Sequence, residues 1–238
     1  MLKYYRAHYC RGGSLDLTQI SIFEILGPIM VGPSSSHTAG AVRIGLAARK
    51  ILGEVPKKAN IYFHGSFATT YWGHRTDIAI IAGLLGMEVD DPSIPNAKHL
   101  ACQQGLVFDF HSIDLGEYHP NSVKLILEGS ENRVEIIGSS IGGGRIKISS
   151  LDGFDIDCDG SYSVLIVKHR DEPGIIAEIT EALATHRVNI AFLEVSRKQR
   201  GSTALLVAQT DNPITEKIVA TVKELYGVLQ VRSFPSFF

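Results

Sequence analysis

The chain has 238 residues, 45% hydrophobic and 20% charged, with 23 basic against 25 acidic side chains. That length holds one large or two modest domains with real cores, and a net charge of −2 without basic or acidic blocks excludes a nucleic-acid footprint. No apolar run approaches the ~20 residues of a membrane span, and Cys10, Cys102 and Cys158 are too scattered for a disulfide framework or a close-spaced metal motif, which fits a reducing cytoplasm.

Residues 1–20 lack the apolar core of a signal peptide and read as a poorly ordered extension outside the fold. Residues 21–158 read as a first domain of mixed strands and helices. A helix is predicted from about Thr38 to Leu52, after Pro33 and a run of serines, one of which caps it. Residues 59–64 read as a strand, and 76–86 as a buried helix with Thr76 as N-cap and Asp77 in its first turn. A weaker helix follows over 95–104. Then come four stretches with two-residue alternation: 106–114, 122–129, 133–140 and 145–151. Helices first and strands later imply an α+β arrangement. The run LDGFDIDCDGS reads as turns and places the boundary near Asp159.

The second domain, 160–238, is predicted as strand 161–169, helix 175–186, strands 188–197 and 202–210, helix 211–225 and strand 228–234. That βαββαβ order is the ferredoxin-like split βαβ unit. Its DEPG turn, helix and following VNI resemble the ACT family of small-molecule regulatory domains. Gly174 would let a carboxylate approach amides at a helix N-terminus, and Gly174 and Asn189 are the candidate regulatory-ligand residues. Pairing of copies through this domain fits the same fold equally well.

The chemistry lies in the first domain. In VGPSSSHTAG, the hydroxyls of Ser34, Ser35, Ser36 and Thr38 join the free amides of a helix mouth, a receptor for carboxylate or phosphate. A helix cap explains one serine of the four hydroxyls. His37 adds a group that donates to a ligand or transfers a proton near neutral pH. A second polar cluster, GSFATTYWGHRTD, brings Ser66, His74, Thr76 and Asp77 before a helix, and YHPNS puts His119 and Asn121 in a turn before a strand. SIGGGRI lacks the lysine of a P-loop and the strand-to-helix context of a dinucleotide fingerprint, so a tight strand connection or close packing to the pocket is the better reading.

Taken in order, IFEILGPIMVGPSSSHTAGAVRIG, GSFATTYWGHRTDIAIIAGLLG, HPN and SIGGG, followed by the ACT-like unit, resemble the beta subunit of the bacterial iron–sulfur L-serine dehydratases over residues 21–238. The resemblance implies a serine dehydratase beta domain, similar to an allosteric substrate-binding domain, followed by an ACT domain. It implies deamination of L-serine to pyruvate and ammonia by dehydration. A [4Fe–4S] cluster held by a partner alpha subunit would act as Lewis acid, and this chain would supply no metal ligand. It further implies that Ser34, Ser35, Ser36 and Thr38 bind the substrate carboxylate, with Ser66, Thr76, Asp77 and Asn121 lining the site. His37, His74 and His119 would be its polar groups, His37 or His119 moving the proton and Asp77 orienting a histidine. One departure stands out: Arg75 occupies a place where the family pattern has glycine.

Two other classes fit parts of the pattern. The first domain also resembles the allosteric substrate-binding domain of some phosphoglycerate dehydrogenases, which makes a non-catalytic serine sensor the second reading. A zinc hydrolase using His37, His74, Asp77 and His119 is the third, without HExxH-like spacing to support it.

Overall fold

The structure is a computed structural model and describes residues 29–236; the predicted N-terminal extension lies outside the described residues. After Ser34 the chain makes a π-helical turn, Ser35–Ala39, and runs directly into helix α1, Gly40–Leu52. Strand β1, Lys58–Phe63, leads to α2, Gly65–His74, and α3, Thr76–Leu85. A short 3-10 turn and α4, Ala97–Gln103, precede the strands β2, Val107–Ser112, β3, Ser122–Glu128, β4, Arg133–Gly142, β5, Arg145–Leu151, and β6, Phe154–Cys158.

The six strands form one sheet in the order β2-β1-β3-β4-β5-β6. Only β1 and β2 are parallel; the remaining neighbours are antiparallel. A parallel pair needs a long crossover, and the helices between β1 and β2 supply it. Helix α1 lies against β4 and β5, and α3 packs along α1. Their crossing is built on glycine. A Cβ at Gly45 would stand 2.5 Å from the carbonyl oxygen of Ile80, and one at Gly83 would overlap the carbonyl oxygen of Val42. Backbone therefore meets backbone, and most of the remaining residues of both helices are apolar and buried, with Arg43, Arg49, Lys50 and Asp77 as the charged exceptions.

Two elements differ from the sequence reading. GSFATTYWGH is itself a ten-residue helix, not only the approach to one. It ends at Arg75, whose φ of 57° and ψ of 33° place it in the left-handed region, and α3 begins at the next residue. Thr76 is consequently not an N-cap; Arg75 holds that position without a side-chain cap bond. An L-residue in this conformation costs on the order of 1 kcal/mol, which is why glycine is the expected occupant. The second difference is β6, where turns were expected. Asp152 and Gly153, at φ 50° and 75°, form a two-residue hairpin connection. Phe154, Ile156 and Cys158 then point inward while Asp155 and Asp157 face water.

The loop from β3 to β4 is held by a carboxylate. Glu54 accepts the amides of Ser130 at 2.7 Å, Glu131 at 3.1 Å and Asn132 at 2.7 Å. The Ser130 amide first, with the other two, draws its pKa below the ordinary carboxylate value. A depressed folded-state pKa means that the stabilisation is full above the unfolded-state value and is lost as pH falls through the folded one. Glu54→Gln is therefore expected to lower the melting temperature at pH 7. The difference from the parent protein should shrink as the melts are repeated at increasingly acid pH; a gap independent of pH would refute the assignment.

The second unit contains β7, Ser163–Arg170, α5, Ile175–Thr185, β8, Ile190–Arg197, β9, Thr203–Thr210, α6, Glu216–Lys223, and β10, Val228–Phe234. Helix α6 starts later than predicted, because Thr215 rather than the Asp211-Asn212 pair caps it, accepting from the amide of Ile218. The antiparallel sheet order is β10-β7-β9-β8. Two-residue alternation splits β7 and β9 between two cores. Leu165, Val167, Leu206 and Ala208 join Ile179, Leu183, Ile218 and Val222 of the two helices. Val164, Ile166, Leu205 and Val207 join the core of the first unit. The free edge of β6 is closed by side chains from this second sheet: Ser196 and Gln209 donate to the carbonyls of Asp155 and Asp157, and Glu194 accepts the Asp157 amide. Among the described residues, no helix is long and apolar enough to cross a membrane.

Candidate active site

The serine-rich stretch owes its shape to the π-helical turn. Ser34 is extended and caps it, its hydroxyl accepting the His37 amide at 3.1 Å. The carbonyl of Ser34 receives both Thr38 N–H at 2.9 Å and Ala39 N–H at 3.4 Å, so the turn is one residue wider than an α-turn. The first amides of such a turn have no intrahelical acceptor. The side chain of Ser36 reaches Ser34 Oγ at 3.3 Å and His37 Nδ1 at 3.1 Å.

His37 is the hub. Its Nε2 lies 3.2 Å from Ser66 Oγ in the first turn of α2, so each ring nitrogen faces a hydroxyl. The two hydroxyls rotate to suit either tautomer. The edge of Phe67 packs against the ring with centroids 5.2 Å apart, and the His74 ring lies tilted over it at 4.5 Å. Burial first, and the neighbouring His74 second, push the His37 pKa below its ordinary value. The imidazole is therefore neutral near pH 7, with a lone pair available to a proton.

His74 closes α2, and its carbonyl accepts from Thr38 Oγ1 at 3.3 Å, tying the two helix mouths together. Asp77 does not meet a histidine. Its buried carboxylate is bound by Lys98 of α4, whose ammonium also lies 4.9 Å from the centre of the Phe110 ring. Thr76 is fully buried, and its Oγ1, like His74 Nδ1 and Ser140 Oγ, has no hydrogen-bond partner among the described residues.

The remaining motifs arrive at the same end of the sheet. The HPN turn is locked onto α2: the Pro120 carbonyl accepts Phe67 N–H at 3.4 Å, and a Cβ at Gly65 would stand 2.6 Å from it. His119 is exposed and accepts the Asn121 amide on Nδ1 at 3.1 Å, which leaves the ring proton on Nε2. The Asn121 carbonyl accepts Ser140 N–H at 2.9 Å, and Ser140 rests directly against Gly40 of α1. The glycines of SIGGG make the hairpin between β4 and β5, and Arg43 of α1 donates to the Gly144 carbonyl at 2.7 Å. Ser34, Ser36, His37, Thr38, Ser66 and His74 thus form a continuous contact network. His119 and Asn121 adjoin it through Pro120 and Ser140, whereas Ser35 makes no side-chain hydrogen bond within it.

Gly174 and Asn189 are not brought together. Gly174, at φ 96°, precedes the 11-residue α5, and Asn189 follows it, on the order of 16 Å away along the helix axis. The Asn189 side chain donates to Asp211 at 2.5 Å. Among the described residues no three His, Cys, Asp or Glu side chains converge to hold a metal ion. Cys102 is exposed, and burial pushes the Cys158 thiol up to about 11. Three contributors were not singled out from sequence: Phe67, Lys98 and Ser140. Phe67 follows Ser66 in the motif already noted; nothing local marks Lys98, which is 21 residues from Asp77.

Comparison with known proteins adds the context. The model of the serine dehydratase beta chain family matches residues 21–110, and that of the ACT domain matches residues 163–225. A Bacillus subtilis protein described as "Probable L-serine dehydratase, beta chain" is 41% identical over 211 residues, which is 89% of this chain and 96% of that protein. The L-serine dehydratase beta chain of Peptoniphilus asaccharolyticus is 39% identical, covering 87% of this chain and 94% of its own. The similarity to D-3-phosphoglycerate dehydrogenase of Bacillus subtilis is 23% over 81% of this chain but only 37% of that protein.

Proposed function

The chain belongs to the L-serine dehydratase beta-chain family, and on that premise we propose that it is one subunit of a lyase converting L-serine to pyruvate and ammonia, active only with an alpha subunit. The observation that carries this reading is an imidazole, His37, held between two hydroxyls beside the open amides of a helix mouth.

The substrate carboxylate sits at that mouth, on the amides and hydroxyls of Ser34 to Ser36. Its α-carbon then lies near His37, which takes the α-proton on the ring nitrogen that carries no hydrogen, as the hydroxyl facing that nitrogen turns aside. The electrons of the broken C–H bond form the C=C bond as the 3-hydroxyl departs, and the enamine product tautomerises and hydrolyses to pyruvate and ammonia. His74 disfavours a positive charge on the resting His37 ring, which keeps that base ready. We assign the return of a proton to the exposed His119, which adjoins the network through Pro120. The unpartnered buried atoms His74 Nδ1, Thr76 Oγ1 and Ser140 Oγ support a site that pairs with something beyond this chain's own atoms.

A [4Fe–4S] cluster would supply Lewis acidity for the departing hydroxyl. The described residues of this chain do not make its ligand set, and we assign it to the alpha subunit. We also assign the second unit a regulatory role, binding an amino-acid effector near Gly174 and pairing with a second copy, and the whole complex to the cytoplasm.

The test is anaerobic co-expression with an alpha subunit, followed by pyruvate release from L-serine. Turnover that requires both chains is the expected result. Serine binding by this chain without turnover in the complex would replace the reading with that of a sensor, and hydrolysis by the lone chain with stoichiometric zinc would overturn it.

A further inference from the structure

Beside the serine turn is a cavity of about 330 Å³ whose lining includes Thr38 but not His37. Its walls are Val31, Pro33, Ile78, Ile94 and Pro95, with Thr38 at one side and Arg75 as its one charged lining residue. Pockets of roughly this size, mostly apolar with a few fixed polar groups, are the usual form of a small-molecule site.

Arg75 is the unusual member. It is exposed, stands in the left-handed conformation that glycine adopts without strain, and replaces the glycine of the family pattern. Its guanidinium makes no ion pair or hydrogen bond among the described residues. An arginine held at a strained joint, unpaired, at the rim of an apolar pocket is suited to a carboxylate, which it meets with two parallel N–H donors. The geometry points to a second ligand site here, for a monocarboxylate carrying a short branched apolar group. The apolar body lies against Ile78 and Ile94, and the carboxylate meets Arg75. Thr38 connects this pocket to the first site, since its hydroxyl donates to the carbonyl of His74, the residue before Arg75.

The assignment does not depend on the proposed dehydratase reading, and its test needs neither the alpha subunit nor turnover. The full chain is titrated with 3-methylbutanoate, following heat by calorimetry and the fluorescence of Trp72. Trp72 is the chain's single tryptophan, 74% exposed and three residues before Arg75. Saturable binding is expected. Acetate, which lacks the apolar body, and 3-methylbutanamide, which lacks the charge, should each bind about tenfold more weakly or worse. Arg75→Gly should weaken 3-methylbutanoate by a similar factor with a melting temperature no lower than the parent's, because glycine relieves the backbone. L-serine should not displace the ligand competitively. Absence of a saturable heat, equal affinity for the amide, undiminished binding in Arg75→Gly, or simple competition by L-serine would each overturn the assignment.

Discussion

Replacing His37 with alanine is expected to lower kcat of the assembled two-chain enzyme by roughly 10²–10⁴-fold, the span of a general base, while KM for L-serine changes far less. The reason is the division of labour at the turn. In the proposed reaction the carboxylate would be met by amides and by Ser34 to Ser36, and the proton by the ring that Ser36 and Ser66 hold on either side. The pH profile gives the sharper readout. Burial, then His74, lowers the His37 pKa, and a base is active only when neutral, so the acid limb of kcat/KM lies below the ordinary histidine range. Removing the neighbouring ring with His74→Ala takes away one of the two causes that lower the His37 pKa and is expected to move the limb to higher pH. Full turnover in His37→Ala, or an acid limb unmoved in His74→Ala, would assign the proton to another group, with His119 the next candidate.

Gly83→Ala is expected to destabilise the chain, against the preference of the helix it sits in. Intrinsic propensity alone favours alanine by about 1 kcal/mol in a helix interior. The added Cβ, however, would overlap the Val42 carbonyl oxygen, with the Leu46 amide nitrogen 2.8 Å and the Gly45 Cα 2.9 Å away. Those are backbone atoms, so no side chain can rotate aside and the helices must separate. Overpacking of this kind costs about 1–3 kcal/mol and occasionally more, which outweighs the propensity gain. A net loss of about 2 kcal/mol in urea unfolding is the expected outcome, accompanied by weaker activity because α1 carries the serine turn. A variant as stable as the parent would show that the crossing yields easily.

The same particulars explain what was legible in the sequence. The ferredoxin-like order of the second unit could be read because β7, β8 and β9 are bounded by DEPG, KQRG and an Asp-Asn turn, all strong punctuation. Helix α2 was hidden: Gly65, Gly73, three β-branched or hydroxyl positions and only one fully buried side chain, Phe67, give it little apolar periodicity. Its existence is dictated by what flanks it, β1 before and α3 after. In β6 the period of two was present in Phe154, Ile156 and Cys158, but the intervening aspartates made the segment look like a loop. The serine turn announced its chemistry through residue types, yet its partners were another matter. Ser66 is 29 residues from His37 and Ser140 is a hundred residues from Gly40 along the chain, so only tertiary structure could pair them.

The central strands of the second unit's sheet, β7 and β9, are covered on both faces. Their helix side is filled by α5 and α6, and Val164, Ile166, Leu205 and Val207 on the reverse belong to the core that also contains α1. The sequence advertises two exchangeable modules joined by an acidic hinge, but the mechanics are those of a laminate glued along its middle layer. Cutting at the hinge would leave both halves with a wet seam. A displacement of the second sheet would therefore be felt directly in the core that holds the helix bearing the serine turn, with no swinging linker in between.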